Sequence, residues 1–513
     1  NKTLTLVNPD TVTVDSTINV LENAYTIATV DDFSTVPSGI TTVIVKDKDR
    51  GGVFNRIDST TANGGTIFSG TGYSWERQYS GAVNVKWFIA NTDASDDIGI
   101  QKAIDFIPFG SNGAIEFEPN KTYIINNTIT IFNRALKVYG NNANIVLSVT
   151  KDYALNIEGS NCSVESLQLS KASGVNGSGI FIKGLEHNLK DISSRDAVWT
   201  NFLYLSECNE SHFSNIRIDN DVAGKTGTII YLHGSVNNTF SDCFIGHCNY
   251  GVYSDMYLST EGQQFTNIIT VFCNRAFNFD KITNSGIVNC VLDFNNHYGV
   301  YATNGQSLYI SNCWIALIEG STGGCIGVNA NFKQAFITNN TLVGNGSSPT
   351  GGAFASSSQY SIFSGNAYQN LNFGAINDST TLALNNIVHG SGSNINVGNS
   401  IESNFNATNF FFNRNITATN IETTKVNVSC VADTYVSVGI TLSSGLYIIS
   451  QQIYDSSYYG AYAIVLVGQG KDYVVAKASK SGVDIATNGD GVPFFKFPIT
   501  MTVPLVVTKL SSY

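Results

Sequence analysis

Acidic and imidazole side chains recur at similar intervals in the middle of the chain, at His233, Asp255 and Asp280, with Glu261 shortly after Asp255. Hydrolysis of a glycosidic bond needs two carboxyl groups: one protonates the leaving oxygen, and the other attacks the anomeric carbon or activates water. The groups lie about 5 Å apart for retention of configuration and about 6.5–9.5 Å apart for inversion. We predict that Glu261 is the general acid and that Asp280 or Asp255 is its partner. The alternative is that these are ordinary turn carboxylates that bind backbone amides.

Side chains that could bind a sugar polymer cluster in sequence around these acids. Tyrosine rings can stack on sugar rings, and a guanidinium can hold an acidic sugar with two hydrogen bonds. The predicted substrate-binding residues are His233, Tyr253, Tyr257, Tyr301, Arg275 and Glu319. This chemistry requires no metal and no cofactor.

These residues can meet only if the chain repeats, and a repeat is visible. A short phrase containing Asn or Asp returns every 22 to 27 residues, at Asp191, Asn215, Asp242, Asn267, Asn289, Asn312 and Asn339. A fixed period of this size indicates one structural unit stacked on copies of itself. Between the phrases apolar residues alternate, as in Gly179–Ile182, which is typical of short strands. The pattern predicts a parallel β-helix with about 4.8 Å between coils.

The repeat also predicts which residues face outward. The residue after each Asn or Asp should point into the core, and the next should point out, giving the outward set Arg217, Phe244, Ile269, Val291 and Trp314. A soluble monomer rarely exposes such an apolar stripe. We therefore predict burial against two further copies about a threefold axis, a homotrimer. The alternative is an aromatic platform for sugar, formed by Phe244 and Trp314.

A second inward column aligns the acidic residues. Its predicted members are Ile182, Leu205, Leu232, Ser254, Phe279, Ala302 and Val328. The residues just after this column should lie outside it, so His233, Asp255 and Asp280 should stack on three successive coils.

Composition restricts the class of protein. Only 13% of the 513 residues are charged, and the formal net charge is −11, which argues against a nucleic-acid partner. The longest apolar run, near Ala461–Val467, is too short to span a membrane. Nine cysteines are an odd number, which argues against a disulfide framework. Cys243, Cys290 and Cys313 follow the Asn or Asp of the repeat and are predicted to stack as thiols in the core.

Four regions are predicted along the chain. Residues 1–88 form an N-terminal neck or cap segment, and residues 89–400 form the β-helix. A helix near 96–107 begins at Ser95 or Asp96, ends at Pro108, and covers the open end of the solenoid. Residues 401–419 form a linker, and residues 420–513 form a C-terminal β-sandwich that serves as a trimer clamp or a sugar-binding module.

The start of the predicted β-helix resembles a known family. The matching segments are Val85–Phe88, Ser95–Asp97, Ile100–Ile104 and Ile115–Pro119, and they resemble the start of the pectate-lyase-like β-helix of bacteriophage tailspikes. Gly51–Phe54 and Trp75–Arg77 resemble the neck that leads into it. The resemblance implies a right-handed parallel β-helix in a homotrimer that binds or cleaves bacterial capsule or exopolysaccharide during host adsorption. It also implies a place in the virion tail, outside the host, after synthesis in the bacterial cytoplasm.

The chain begins at Asn1 without Met, so we expect a missing N-terminal part that contacts other phage tail proteins. Three functions remain open from the sequence. The first is endo-hydrolysis of the polysaccharide by paired carboxylates. The second is a lyase, in which a base or a tyrosine removes the C5 proton of a uronic acid. The third is a non-catalytic adsorption protein.

Overall fold

A computed structural model describes residues 25–344 apart from 59–60, 133–134, 196, 221–225, 319–320 and 322. Between residues 345 and 397 it describes 352–356, 358, 360–369, 371–376, 382–384, 387–389 and 395–397. Beyond residue 397 it describes the backbone of the strands that lie between residues 422 and 511. The chain divides into two compact units, residues 1–404 and 405–513. The predicted linker 401–419 and residues 1–24 lie outside the described residues.

The larger unit is a parallel β-helix, as the sequence predicts. Each coil contributes strand segments to three parallel sheets, and each segment pairs with its counterpart in the next coil. The first sheet includes the pairing of Phe240 with Phe265, the second that of Phe244 with Ile269, and the third that of Tyr231 with Tyr253. The described strands, in chain order, are Val83–Asn84, Ala114–Glu116, Thr122–Ile125, Ile129–Ile131, Lys137–Leu147, Tyr153–Ile157, Ser163–Lys171, Ser178–Leu185, Asn188–Arg195, Asn201–Asn209, His212–Ser214, Arg217–Asp219, Thr228–His233, Thr239–Ser241, Phe244–Gly246, Tyr250–Ser254, Gln264–Thr266, Ile269–Val271, Arg275–Val288, Val291–Asn295, Tyr298–Ser311, Trp314–Leu317, Gly324–Thr338, Thr341–Gly344, Gly352–Ser356, Ile362–Ser364, Ala367–Gln369, Asn372–Ile376, Leu382–Leu384, Ile387–His389 and Ile395–Val397.

The repeated Asn or Asp forms the corner between the first and second sheets. Each of these residues has a left-handed backbone, with φ between 50° and 57°, at Asp191, Asn215, Asp242, Asn267, Asn289, Asn312 and Asn339. Asn and Asp tolerate this conformation better than most residues other than glycine. Asn215 Nδ2 donates to Asp191 Oδ1 over 2.6 Å, and Asn267 Nδ2 donates to Asp242 Oδ1 over 3.1 Å. The alternation of Asp and Asn therefore links these neighbouring corners without placing two carboxylates in contact.

The predicted inward and outward columns are confirmed. Cys243, Cys290 and Cys313 are buried in the core, each at 2% exposure or less. The outward residues Arg217, Phe244, Ile269, Val291 and Trp314 are in direct register on successive strands. Ile269 and Trp314 are 43% and 42% exposed, so an apolar stripe does face outward in the single chain. Its burial in a homotrimer stays a prediction.

The predicted capping helix is confirmed as Asp97–Phe106. Its buried residues Ile100 and Ile104 belong to the same hydrophobic core as the first coils of the solenoid. Asp96, one of the two predicted cap residues, is the N-cap, but its side chain makes no capping bond: its Oδ2 accepts from the Ile124 N–H over 2.7 Å. Asp97 Oδ1 accepts from the Asn126 N–H over 2.9 Å. The two aspartates therefore attach the start of the helix to the strand that it covers.

The neck is a five-stranded sheet with its own aromatic core. Its strands are Tyr25–Ile27, Thr42–Val45, Gly52–Ile57, Ile67–Ser69 and Ser74–Arg77, and short 3₁₀ helices are Val30–Thr35 and Val85–Trp87. Phe33, Phe54 and Trp75 are buried in this core. Arg77 donates to the backbone oxygens of Arg50, Gly51 and Gly65, and its guanidinium lies 4.4 Å from the centre of the Trp87 ring. Because Trp87 packs against the solenoid core, Arg77 joins the neck to the solenoid.

The smaller unit consists of antiparallel strands. One sheet contains Glu422–Cys430, Met501–Ser511, Gly445–Gln451, Tyr462–Val467 and Asp472–Ala478, and a second contains Tyr435–Ser437, Pro493–Lys496 and Asp484–Thr487, each in spatial order. The packing of these sheets into a β-sandwich, and its role as clamp or sugar-binding module, stay predictions. No helical segment in the described part of the chain has the length and apolar character that a bilayer span requires.

Candidate active site

The outer face of the third sheet carries a row of aromatic rings along the axis of the solenoid. Phe181, Tyr204, Tyr231 and Tyr253 are in register on successive strands. Their ring centres are 5.5, 4.7 and 5.1 Å apart along the row. After an interruption at Asn278 the row continues at Tyr301. We call these residues the aromatic row.

A row of polar residues borders the aromatic row, at the corner where the third sheet ends. The inward column that precedes it is confirmed: its predicted members are buried and in register from Ile182 to Val328. The polar row contains Lys183, Ser206, His233, Asp255 and Asp280. As predicted, the last three therefore follow one column on three successive coils.

Hydrogen bonds connect the two rows diagonally, from one coil to the next. Tyr231 Oη donates to Asp255 Oδ2 over 3.0 Å, and Tyr253 Oη donates to Asp280 Oδ2 over 2.6 Å. Burial, reinforced by the negative charge of Asp255, raises the pKa of Tyr231. Burial and the hydrogen bond to Asp280 likewise raise the pKa of Tyr253. Both phenols therefore keep their protons at neutral pH and do not serve readily as bases.

Asp255 lies beneath the surface. Its side chain is only 4% exposed, against 24% for the His233 side chain beside it. Its Oδ2 accepts from Tyr231 Oη and from His233 Nδ1, the latter over 2.5 Å, and its Oδ1 accepts from the Tyr257 N–H over 3.2 Å. This carboxylate already binds three donors, so it has little access to a polymer on the outer face.

Asp280 stands one coil further along the polar row and is more accessible than Asp255. Its side chain is half-buried and accepts hydrogen bonds from Tyr253 and, over 3.4 Å, from Asn278 Nδ2. Arg275 Nη1 donates to Asn278 Oδ1 over 2.5 Å, and the Arg275 guanidinium lies 4.8 Å from the centre of the Tyr301 ring. The two donors to the carboxylate are neutral, and Arg275 is linked to it through Asn278.

Glu261 lies on the corner between the third and first sheets rather than in the polar row. Its backbone pairs with Val236 on one side and Thr283 on the other, and its Oε1 accepts from Asn284 Nδ2 over 2.9 Å. Among the described residues no hydrogen bond joins Glu261 to Asp255 or Asp280. Thr283 is three residues beyond Asp280 and one coil from Glu261, which places the two acidic Cα atoms about 11 Å apart by strand geometry. The carboxyl group of Glu261 bonds to Asn284, beyond Thr283, and that of Asp280 bonds to Tyr253 and Asn278, so the two groups face away from each other in this structure.

A loop, residues 256–260, folds back over the coil that carries His233. Leu258 packs directly on Gly234: a β carbon at Gly234, where φ is +59°, would lie 2.7 Å from Leu258 Cδ1. Tyr257 projects from this loop and is 81% exposed. An aromatic ring that is this exposed and lies next to the polar row is well placed to stack on a sugar.

The structure brings together most of the predicted site residues. His233, Tyr253, Asp255, Asp280 and Arg275 all lie on one face, with Tyr257 and Tyr301 beside them, as the contacts above establish. Glu319 lies outside the described residues. Sequence reasoning missed Phe181, Tyr204 and Tyr231, although the same register that placed His233 also places these rings. It missed Asn278 as well, because an amide in an aromatic column has no distinctive local pattern.

Comparisons with known proteins identify the fold. No protein-family model and no curated protein matches the sequence. The tailspike protein of Acinetobacter phage vB_ApiP_P1 is 13% identical, with a TM-score of 0.50 over 95% of this chain and 99% of that one. Tailspike protein gp49 of Acinetobacter baumannii bacteriophage Fri1, a capsular polysaccharide depolymerase, is 11% identical, with a TM-score of 0.48 over 94% of this chain and 98% of that one.

The enzymatically active domain of tailspike protein 4 from bacteriophage CBA120 is 12% identical, with a TM-score of 0.48 over 95% of this chain and 77% of that one. The class that the fold defines is therefore the parallel β-helix protein, in the form found in phage tailspikes. The resemblance seen at the start of the β-helix is confirmed at the level of fold.

Proposed function

We propose that this protein is a phage tailspike that binds a bacterial surface polysaccharide and cuts it internally. The observation that supports this most is the continuous outer face of the third sheet, where the aromatic row runs beside the polar row. Rings bind the apolar faces of sugars, and carboxylate, amide and imidazole groups bind their hydroxyls. Because these two rows repeat from coil to coil, they suit a long polymer whose sugars also repeat.

For the cleavage step we propose hydrolysis by Glu261 and Asp280. Glu261 donates its proton to the glycosidic oxygen as the bond to the anomeric carbon breaks. Asp280, as the carboxylate, takes a proton from the attacking water, whose oxygen bonds to the anomeric carbon. The Cα separation of about 11 Å leaves room for the water of an inverting mechanism, provided that both side chains turn toward the bound sugar. Asp255 is unsuited to either role because it is buried.

A lyase is the second function that the residues allow, with His233 or a tyrosine as base and Arg275 near the carboxylate of a uronic acid. The raised pKa values of Tyr231 and Tyr253 weaken the tyrosine version. A lyase would release products that absorb in the ultraviolet, since elimination creates a carbon–carbon double bond. A hydrolase would release none.

The test is to incubate the protein with a panel of purified bacterial capsular and exopolysaccharides. We expect one polymer to lose molecular mass, with one new reducing end for each cut and no ultraviolet-absorbing product. Binding without loss of mass would show an adsorption protein instead. Absorbing products would show a lyase, and the absence of both binding and cleavage across the panel would contradict the proposed function.

A further inference from the structure

Asp255 is built to hold His233 rather than to react. A carboxylate can only accept a hydrogen bond, so its Oδ2 fixes the proton of the neutral imidazole on Nδ1. Asp255 is itself held by Tyr231 and by the Tyr257 backbone, which leaves it a single orientation. The other ring nitrogen, Nε2, has no hydrogen-bond partner among the described residues. The imidazole is therefore oriented, partly exposed, and left with an unused acceptor.

The position of His233 relative to the proposed cleavage pair decides what this acceptor can reach. His233 and Asp280 are two coils apart in the polar row, about 10 Å by strand spacing. His233 and Asp280 therefore face different positions along a polymer that lies on the polar row. His233 is placed to contact a different sugar of the same polysaccharide from the one at Asp280. That sugar would lie against Tyr204, whose ring centre is 6.3 Å from that of His233.

We propose, on the basis of the proposed function, that His233 Nε2 accepts a hydrogen bond from a sugar bound beside the cleavage position, and that Asp255 is the positioning residue for this contact. An acceptor backed by a buried carboxylate selects a neutral donor, a hydroxyl or amide N–H, and repels a carboxylate. The sugar at this subsite is therefore a neutral or N-acylated residue and not a uronic acid. Three variants test this in the intact protein: His233→Ala, His233→Gln and Asp255→Asn.

The expected result is a change in KM and not in kcat. Loss of one hydrogen bond in His233→Ala should raise KM for the cleaved polysaccharide about fivefold to tenfold, with kcat within about twofold of wild type. His233→Gln keeps an amide oxygen as acceptor and should recover part of the loss. In Asp255→Asn, an amide nitrogen in place of Oδ2 can donate to Nδ1, which moves the imidazole proton to Nε2 and should raise KM with the ring still present. His212→Gln, an exposed histidine on the first sheet, is the matched control and should behave as wild type.

Chemical modification gives a readout that does not depend on turnover. Diethyl pyrocarbonate acylates a free imidazole nitrogen, and peptide mass spectrometry reports each histidine separately. Oligosaccharides released by the wild-type protein should protect His233 and not His212. An unchanged KM in His233→Ala, or the absence of protection, overturns the inference. A loss of about 100-fold in kcat with unchanged KM also overturns it, since that result identifies a proton-transfer group. A wild-type protein that neither binds nor shortens any polysaccharide contradicts the proposed function itself.

Discussion

Two aspartates of the polar row show how one residue type can serve two purposes. Asp255 and Asp280 stand on adjacent coils, and each accepts a phenol proton donor from the preceding coil. Asp255 is additionally covered by the loop 256–260 and binds both His233 and a backbone N–H. Asp280 has no such cover and remains half-buried. Neighbouring groups, rather than sequence position, therefore separate the buried carboxylate from the accessible one.

The first prediction concerns the cleavage pair. Asp280→Asn and Glu261→Gln each remove one carboxyl group while keeping size, so both should lower kcat by about 100-fold or more, in line with the loss of a general acid or base. Binding of the polysaccharide, followed by co-sedimentation or calorimetry, should stay close to wild type. Glu210→Gln is the matched control, because Glu210 lies on the same corner two coils away and is exposed. Full activity in Glu261→Gln would remove Glu261 from the mechanism.

A second prediction concerns Tyr257. Its ring is 81% exposed, so truncation to alanine removes little buried surface and should leave the melting temperature within about 1 °C of wild type. If the ring stacks on a sugar, the affinity for polysaccharide should fall about tenfold, as expected for the loss of about 1.4 kcal/mol of binding free energy. Tyr257→Phe should restore the affinity. An unchanged affinity in Tyr257→Ala would show that the ring does not contact the polymer.

At the level of elements, the capping helix depends on carboxylates at its first turn. Burial opposes ionisation of Asp97, but hydrogen bonds from Ser95, the Asn126 N–H and Asn127 outweigh it and lower the pKa of Asp97 below its ordinary value. A lowered folded-state pKa stabilises the fold above the pKa of the unfolded chain, about 3.9. This stability is lost as the pH falls through the lowered folded-state value. The cap is therefore expected to detach early in acid unfolding.

The third prediction follows from this linkage. Asp97→Asn keeps only one accepting oxygen for the three donors, so it loses part of these bonds and should destabilise the protein at pH 7 by about 1–3 kcal/mol. The difference from wild type should shrink as the pH falls below about 4, because the wild-type carboxylate then also loses its charge. Thermal unfolding at several pH values measures both effects. Asp105→Asn, an exposed position on the same helix, is the control, and a pH-independent difference for Asp97→Asn would contradict the explanation.

At the level of the whole molecule, the exposed apolar stripe of the second sheet favours association with another protein surface. Ile269, Val291 and Trp314 are each about two-fifths exposed on consecutive coils, which is unusual for a protein that remains monomeric. The stripe is separate from the outer face of the third sheet, so association through it would leave the candidate active site open. We predict association of three copies about this stripe, as the repeat pattern suggests.

The fourth prediction tests that association. The wild-type protein should have the mass of three chains by light scattering after gel filtration. Ile269→Asp places a charge in the middle of the stripe and should shift the mass to that of a single chain. Tyr309→Asp, at an exposed aromatic residue of the first sheet, should remain trimeric. A wild-type monomer, or a trimer that Ile269→Asp leaves intact, would contradict the predicted interface.

Much of the architecture follows from local pattern. The corner residues from Asp191 to Asn339 recur because each coil needs a left-handed turn that Asn and Asp tolerate, and the apolar alternation fixes which residues point inward. The capping helix is equally local, since the spacing of Ile100 and Ile104 marks its buried face. These features depend on backbone preference and on short-range periodicity, so the sequence alone determined them.

The chemistry of the outer face depended on contacts between coils. The sequence aligned His233, Asp255 and Asp280 correctly, but only the tertiary structure showed that Asp255 is buried beneath a returning loop and that Glu261 lies on a different corner. The diagonal bonds from Tyr231 and Tyr253 likewise join residues more than twenty positions apart. The physical reason is that exposure and hydrogen bonding are set by neighbours in space, and in a solenoid most of these neighbours belong to another coil.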